Sequence, residues 1–419
     1  MTAGSVAARL GITVQVRPCF PDAARFAGAL EVGLRHNPNR AQLLVSRLLG
    51  KHIPVPAAEV LAAAHALGAA VRAACDGQTP VVVGFAETAT GLGHGVASVS
   101  AADGGPAPYL HTSRRPAPAG ARVVRFSEEH SHAVDQAIAL LDDADLRGGR
   151  PLVLVDDELT TGTTAVNAIR MIQASWPREV YVLASLIDCR SQARRAEVAR
   201  AVGAAGASAV SVSLLDGEVR LPDGIMAAVR GLVAELPEPP VRPLDAARAP
   251  VTWLAVTLPD GVPALAMHRW GPAQERAAGE AMGQLAASLP VARDGRTLVL
   301  GDEELMYLPQ LLAAALGGQV RTSTTTRTPA VTIDGPGYPL RTALRFASTE
   351  DGRRPVYAYN VAASSHPEPG NAPGFDHIVL VTDAARGPRT AQLAAELAAS
   401  ARRSVHVINL RPGDRRAAQ

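Results

Sequence analysis

Short, unbroken apolar runs alternate with alanine-rich stretches of helical period through the first half of the chain. Pro80 to Gly84 and Pro151 to Val155 are β-branched or leucine runs, the pattern of strands buried on both faces. Val180 to Ile187 is a third such run, and Thr164 to Ser175 between the second and third reads as a helix. Strand, helix and strand at this spacing predict a βαβ unit and hence a parallel sheet. Asp216–Gly217, flanked by Val210 to Leu215 and Glu218 to Leu221, predicts a hairpin. Leu236 to Pro243 holds four prolines in eight residues, which neither a helix nor a central strand tolerates. It reads as a semi-rigid linker dividing the chain into domains at 1–236 and 250–419. The fold class expected is α/β.

Composition narrows the function classes. Hydrophobic residues make up 47% of the 419, enough for a sizeable core, but aromatics only 4%, so Val, Leu, Ile and Ala must fill it. A formal net charge of +2 offers no strong attraction to nucleic acid or to a membrane surface. The three cysteines, Cys19, Cys75 and Cys189, form no CxxC pair and suggest neither a disulfide framework nor a zinc site. No signal-like apolar run opens the chain, and no stretch of about 18 uncharged apolar residues predicts a membrane span. A cytoplasmic setting is the expectation.

The sharpest chemistry lies where the Val155 strand is expected to end. Asp156 and Asp157 come first, then Glu158 and Leu159, then Thr160, Thr161, Gly162, Thr163 and Thr164 at the start of a helix. Ligands of open parallel sheets bind at the carboxyl ends of the strands. A turn into a helix N-terminus offers free amides to a phosphate, and the threonine hydroxyls add donors. Two carboxylates beside an anion would repel it unless they served hydroxyls of the same ligand. A ribose 5-phosphate satisfies both ends. No GxxxxGK[ST] loop occurs, and Gly91 to Gly95 does not fit GxGxxG.

Four apolar residues, two acids, two variable residues and a Thr–Gly–x–Thr turn resemble the ribose-phosphate motif of type I phosphoribosyltransferases, with Glu158 in place of the usual apolar residue. The resemblance implies a parallel-sheet phosphoribosyltransferase fold that binds 5-phosphoribosyl-1-pyrophosphate (PRPP). Gly84 to Gly95 then resembles the pyrophosphate loop, with Glu87, Thr88, Ala89 and Thr90 at the ligand. Glu87 is out of place beside an anion unless Mg²⁺ lies between them. Magnesium is the cofactor expected, its protein ligands left open. A plain βα turn is the bland alternative. Tyr109 to Arg122 resembles the hood loop that closes over the reaction, with Arg114 and Arg115 stabilising the leaving pyrophosphate. A solvated basic loop is the other reading. Glu128 to His132 reads as the opening of a helix capped by Ser127, with a metal site as the alternative.

Arg35 to Arg40 and Leu48 to Val55, with these loops, resemble the orotate-phosphoribosyltransferase-like proteins encoded with tellurite-resistance and stress-response genes. In that branch a TRSP domain follows the enzyme, and Thr326 to Pro329 resembles its naming motif. Arg40, Lys51 and His52 are candidate acceptor or phosphate contacts; Lys51 and His52 read equally as surface residues after a helix. The function implied is glycosyl transfer from PRPP to a nitrogenous base, giving a nucleoside monophosphate and pyrophosphate in a stress-related nucleotide pathway. A PRPP-sensing regulator without turnover and a base-releasing hydrolase are the rivals. The partners expected are PRPP and a small base, with a second copy of the chain as a candidate, and neither nucleic acid nor a membrane. The second domain is expected to be a degenerate α/β copy of the first, aligning Gly301 with Gly84, Arg327 with Arg114 and Asp383 with Asp157. Thr382 then replaces one acid, and Arg386 and Pro388 spoil the turn, so no second PRPP site is expected. The Arg327 loop would serve another ligand or the first domain's cleft.

Overall fold

A computed structural model describes residues 6–37, 40–127, 135–236, 248–291, 294–366 and 374–413. The first six-stranded sheet has the order Thr13–Pro18, Ser208–Arg220, Val180–Asp188, Leu152–Leu159, Val81–Gly84, Tyr109–His111. All neighbours run parallel except Thr13–Pro18, which is antiparallel to Ser208–Arg220. The apolar runs occupy its middle, and every residue of Val81–Gly84 is buried. Thr163–Ser175 is the helix between Leu152–Leu159 and Val180–Asp188, as the βαβ pattern requires.

A second six-stranded sheet has the order Val251–Thr257, Ala401–Arg411, Phe375–Thr382, Thr297–Gly301, Val320–Thr324, Val55–Pro56. It is parallel except at Val55–Pro56. That last strand comes from the first half of the chain, so the proline-rich stretch is not a boundary that contacts respect. Residues 237–247 of that stretch lie outside the described residues.

The two sheets repeat one plan down to register. Gly84 pairs with Val155, two residues before Asp157, and with His111, three before Arg114. Gly301 pairs with Val381, two residues before Asp383, and with Thr324, three before Arg327. Each unit inserts an antiparallel hairpin before its central strand: Arg122–Ser127 with Asp135–Leu140, and Ala343–Ala347 with Pro355–Tyr359. Each hairpin bridges back to the segment before it, Ser113 to Ala137 and Thr326 to Tyr357. The second α/β unit is therefore a structural duplicate of the first, with Gly301 and Asp383 at the same sheet end.

Three local readings change. The Asp216–Gly217 hairpin does not form, because Ser208–Arg220 is one continuous strand. Gly217 pairs there with Val16, and a Cβ on it would lie 2.5 Å from Ile187 Cδ1, so the glycine serves close packing rather than a turn. The Leu152–Leu159 strand does not stop at Val155 but runs on through the acids. Ser127 ends a strand paired with Asp135 rather than capping a helix, and residues 128–132 lie outside the described residues. Ala57–Ala74 is long and apolar enough to cross a membrane by length and composition, although it carries Glu59 and Arg72 and so is not an uncharged span. In this fold Ala57, Val60, Ala63, Ala64, Leu67, Gly68 and Val71 form its buried face, which packs into the core.

Candidate active site

The carboxyl end of the first sheet opens into a cavity of about 500 Å³. Asp156, Asp157 and Glu158 reach it from the last turn of the central strand, and Thr160, Thr161, Gly162 and Thr164 from the turn that follows. Gly162 has φ +81°, and a Cβ there would lie 2.7 Å from Val198 Cγ2, so a side chain is excluded both by backbone and by space. Its left-handed conformation turns the chain into the Thr163–Ser175 helix and aims the first-turn amides at the cavity. The Asp157 amide donates to Asp156 Oδ1 at 2.9 Å. Burial, with the neighbouring Glu158 charge, pushes the Asp157 carboxyl up from the ordinary range. Glu158, the departure from the motif, is ion-paired with Arg40. That pair gives Arg40 a structural partner beside the cavity.

The Val81–Gly84 strand delivers Phe85, Ala86, Glu87 and Thr88 to the same space. A Cβ on Gly84 would lie 2.6 Å from Tyr109 Oη and 2.7 Å from the Ala89 carbonyl oxygen, so the loop can fold back this tightly only on glycine. Lys51 Nζ donates to Thr88 Oγ1 at 2.6 Å and lies 3.3 Å from Glu87 Oε1. Arg327 Nε lies 3.9 Å from Glu87 Oε2. Burial pushes the Glu87 carboxyl up, but Lys51, Arg327 and Arg114 outweigh it and hold it below the usual carboxylate range. Protein cations therefore neutralise the Glu87 charge at the cavity wall. Lys51 and His52 are 2% and 3% exposed, which removes the surface reading. No helix precedes them; they follow the Gln42–Ser46 strand through a turn.

Several candidates fall elsewhere. Ala89 and Thr90 are buried beneath the loop, with Thr90 Oγ1 donating to the Glu304 carbonyl at 2.9 Å. Thr163 is likewise not among the residues that line the cavity. Arg114 lines the cavity and Arg115 does not. Arg115 instead reaches into the second unit, 2.6 Å from Glu350 Oε1 and 2.6 Å from Asp383 Oδ2. It covers the carboxylate that corresponds to Asp157. Replacing Arg115 by alanine should therefore lower thermal stability while leaving PRPP affinity unchanged in calorimetry. A selective loss of affinity with no loss of stability would contradict this placement.

The second unit returns the contact. Arg327, Thr328, Pro329, Arg354, Pro355 and Tyr357 line the first unit's cavity. The hairpin of the first unit adds Gln136, and the Leu30–Leu34 strand leads into Arg35. Arg35, Arg327, Thr328 and Pro329 belong to segments the sequence singles out, whereas Gln136, Arg354, Pro355 and Tyr357 do not. Their spacing from the loops is set by the packing of the units. The exchange is reciprocal: Glu304, the counterpart of Glu87, accepts from Ser113 Oγ at 2.7 Å and from the Arg114 amide at 3.2 Å. In the second unit Thr382 Oγ1 donates to Asp302 Oδ2 at 2.7 Å, Arg386 stacks over Trp253, and Pro388 begins the helix. The groups that line the first cavity thus have counterparts in the second unit that are engaged within the protein or replaced.

Residues 29–218 match the family model described as phosphoribosyl transferase, and residues 266–399 match that of the TRSP domain that lies C-terminal to it. No curated protein matches the chain. Among solved structures, adenine phosphoribosyltransferase from Rhodothermus marinus is 17% identical over 45% of this chain and 96% of its own, with a TM-score of 0.31. The Trypanosoma brucei enzyme, in complex with AMP, pyrophosphate and ribose-5-phosphate, is 10% identical over 47% and 79%, with a TM-score of 0.33. Orotate phosphoribosyltransferase from Aeropyrum pernix is 18% identical over 44% and 88%, with a TM-score of 0.27.

Proposed function

We propose that this chain, matched over residues 29–218 by the phosphoribosyl transferase family, transfers ribose 5-phosphate from PRPP to a nitrogenous base. The observation that carries the reading is the joint placement of Asp156, Asp157 and the Thr160–Thr164 turn around one cavity with a cation cluster opposite an acid-bearing loop. Six basic residues line that cavity against four acids, an excess suited to a ligand with phosphate and pyrophosphate ends. The two aspartates would accept the vicinal ribose hydroxyls, and the turn amides and hydroxyls would hold the 5-phosphate. Lys51, Arg114 and Arg327 surround the loop at which pyrophosphate would leave. As the C1–oxygen bond breaks, negative charge grows on pyrophosphate, and these fixed cations stabilise it.

Among the described residues, no group of three or more His, Cys, Asp or Glu is arranged to hold a metal ion. A Mg²⁺ carried mainly by ligand oxygens and water fits this donor set, with Asp156 and Asp157 as the carboxylates at hand. When bound it would neutralise charge on the leaving pyrophosphate. A stress-related nucleotide pathway in the cytoplasm is part of the same proposal.

The test is PRPP consumption against a panel of bases, with products read by mass, followed by single-turnover analysis with labelled PRPP. The reading expects a nucleoside monophosphate and stoichiometric pyrophosphate. Ribose 5-phosphate alone would indicate a hydrolase, and bound but intact PRPP a sensor without turnover.

A further inference from the structure

The carboxylates, the threonine turn and the cations all have tasks in this reading, but His52 has none. It lines the cavity, is 3% exposed, and its Nε2 is buried with no hydrogen-bond partner among the described residues. Buried polar groups are paired in the great majority of cases, and an unmade bond to one costs about 1–3 kcal/mol. Packing does not account for the choice of residue. Its aromatic neighbour is Tyr359, with ring centroids 6.4 Å apart and the planes tilted by 57°. An apolar side chain would fill such a contact without leaving a nitrogen orphaned.

Resting on the PRPP reading, we propose that His52 accepts the ring N–H proton of the acceptor base, and that the acceptor is therefore a heterocycle that reacts through a protonated ring nitrogen. The step balances. The ring nitrogen forms the bond to C1, the C1–oxygen bond breaks with its electron pair leaving on pyrophosphate, and the N–H proton passes to the imidazole. An already anionic ring nitrogen would not need this partner.

The charge environment suits an acceptor. Burial, then the Lys51 and Arg35 charges, hold the imidazole well below its ordinary value, so it stands unprotonated before the reaction. Those two cations are the charged groups that act on it; Tyr359, the neighbouring ring, is a phenol pushed up by burial and thus neutral. PRPP brings several negative charges beside Lys51 and Arg35. Countering these cations raises the proton affinity of His52 when the donor substrate is in place. The base is thereby switched on by the first substrate.

The experiment uses the full chain with selectively labelled histidine, followed by nitrogen NMR over pH 5 to 8, without and with Mg²⁺ and saturating PRPP. His52→Gln assigns the resonance, with His52→Asn as a second variant if glutamine perturbs the fold. PRPP should move the His52 midpoint upward by about one pH unit or more. With whichever of adenine, hypoxanthine, uracil or orotate is turned over, His52→Gln should lower kcat by about 100-fold or more and abolish the acidic limb of the pH profile. PRPP affinity should stay within threefold. If PRPP binds by calorimetry but leaves the His52 titration unmoved, or if the variant keeps kcat within threefold, the proposal is overturned. A parent chain that takes up no PRPP would instead overturn the reading on which the proposal rests, and the role of His52 with it.

Discussion

Exchanging Asp156 and Asp157 together for asparagine is expected to abolish detectable PRPP binding while leaving the fold intact. Both residues lie at the carboxyl end of the central strand and line the cavity rather than packing in the core. Asparagine keeps the shape but replaces one carboxylate oxygen with a donor, where two ribose hydroxyls need acceptors. Losing two charge-assisted hydrogen bonds costs on the order of 3–6 kcal/mol, about two to four orders of magnitude in affinity. Stability should respond differently. Burial and the Glu158 charge raise the Asp157 carboxyl in the folded chain. A group raised on folding contributes stability below its unfolded value and loses it as pH rises through the folded value. At neutral pH its charge is therefore a burden, and the double variant should melt no lower than the parent. Calorimetry that finds PRPP affinity within threefold of the parent would sink the assignment of the site, whatever the melting temperature.

Arg327→Ala should have the largest effect on stability. The guanidinium is 14% exposed and ion-paired with Glu303, lies 2.6 Å from Glu350 Oε2, and is 3.9 Å from Glu87. Its removal leaves three buried or half-buried carboxylates without this shared cation. Breaking a buried pair from one side costs about 3–5 kcal/mol, because the remaining charge stays desolvated. The sign of its pH dependence follows. Burial, with the Glu350 charge next, already pushes the Glu303 carboxyl up to about 8 despite Arg327. Without the arginine, Glu303 and Glu350 rise further above their unfolded values, so the variant loses stability as pH increases. Urea unfolding should show a smaller deficit at pH 5.5 than at pH 8.5. Arg327→Lys should recover part of the loss, since a lysine keeps the charge but cannot bridge two carboxylates with a planar fork. A deficit below about 1 kcal/mol that is equal at both pH values would refute the role of Arg327 as the shared partner of Glu303, Glu350 and Glu87.

The strands of both units, the threonine turn and the acidic pair follow from the chain itself. Buried parallel strands must be continuous apolar runs, and an anion turn must be glycine and hydroxyl-rich, so each leaves a local mark. The duplication was also legible, because the glycine, arginine and acid recur in one order at matching strand ends. What local pattern misjudged was settled by partners distant in sequence. Asp216–Gly217 has turn chemistry, yet Gly217 is claimed by Val16 across the sheet. Arg114 and Arg115 look alike in the chain, but one faces the cavity and the other neutralises Asp383. Lys51 and His52 read equally as ligand contacts or surface residues from the chain alone, and burial against Glu87 and the cavity decides between the two. In the second unit's share of the wall, the Arg327 loop was marked by the duplication, whereas Arg354, Pro355 and Tyr357 carry no local signal. Backbone periodicity and turn chemistry are properties of neighbouring residues, whereas a cavity between two packed units depends on their docking. That docking is fixed by the summed burial and ion pairing of side chains some two hundred residues apart, such as Ser113 with Glu304 and Arg115 with Asp383.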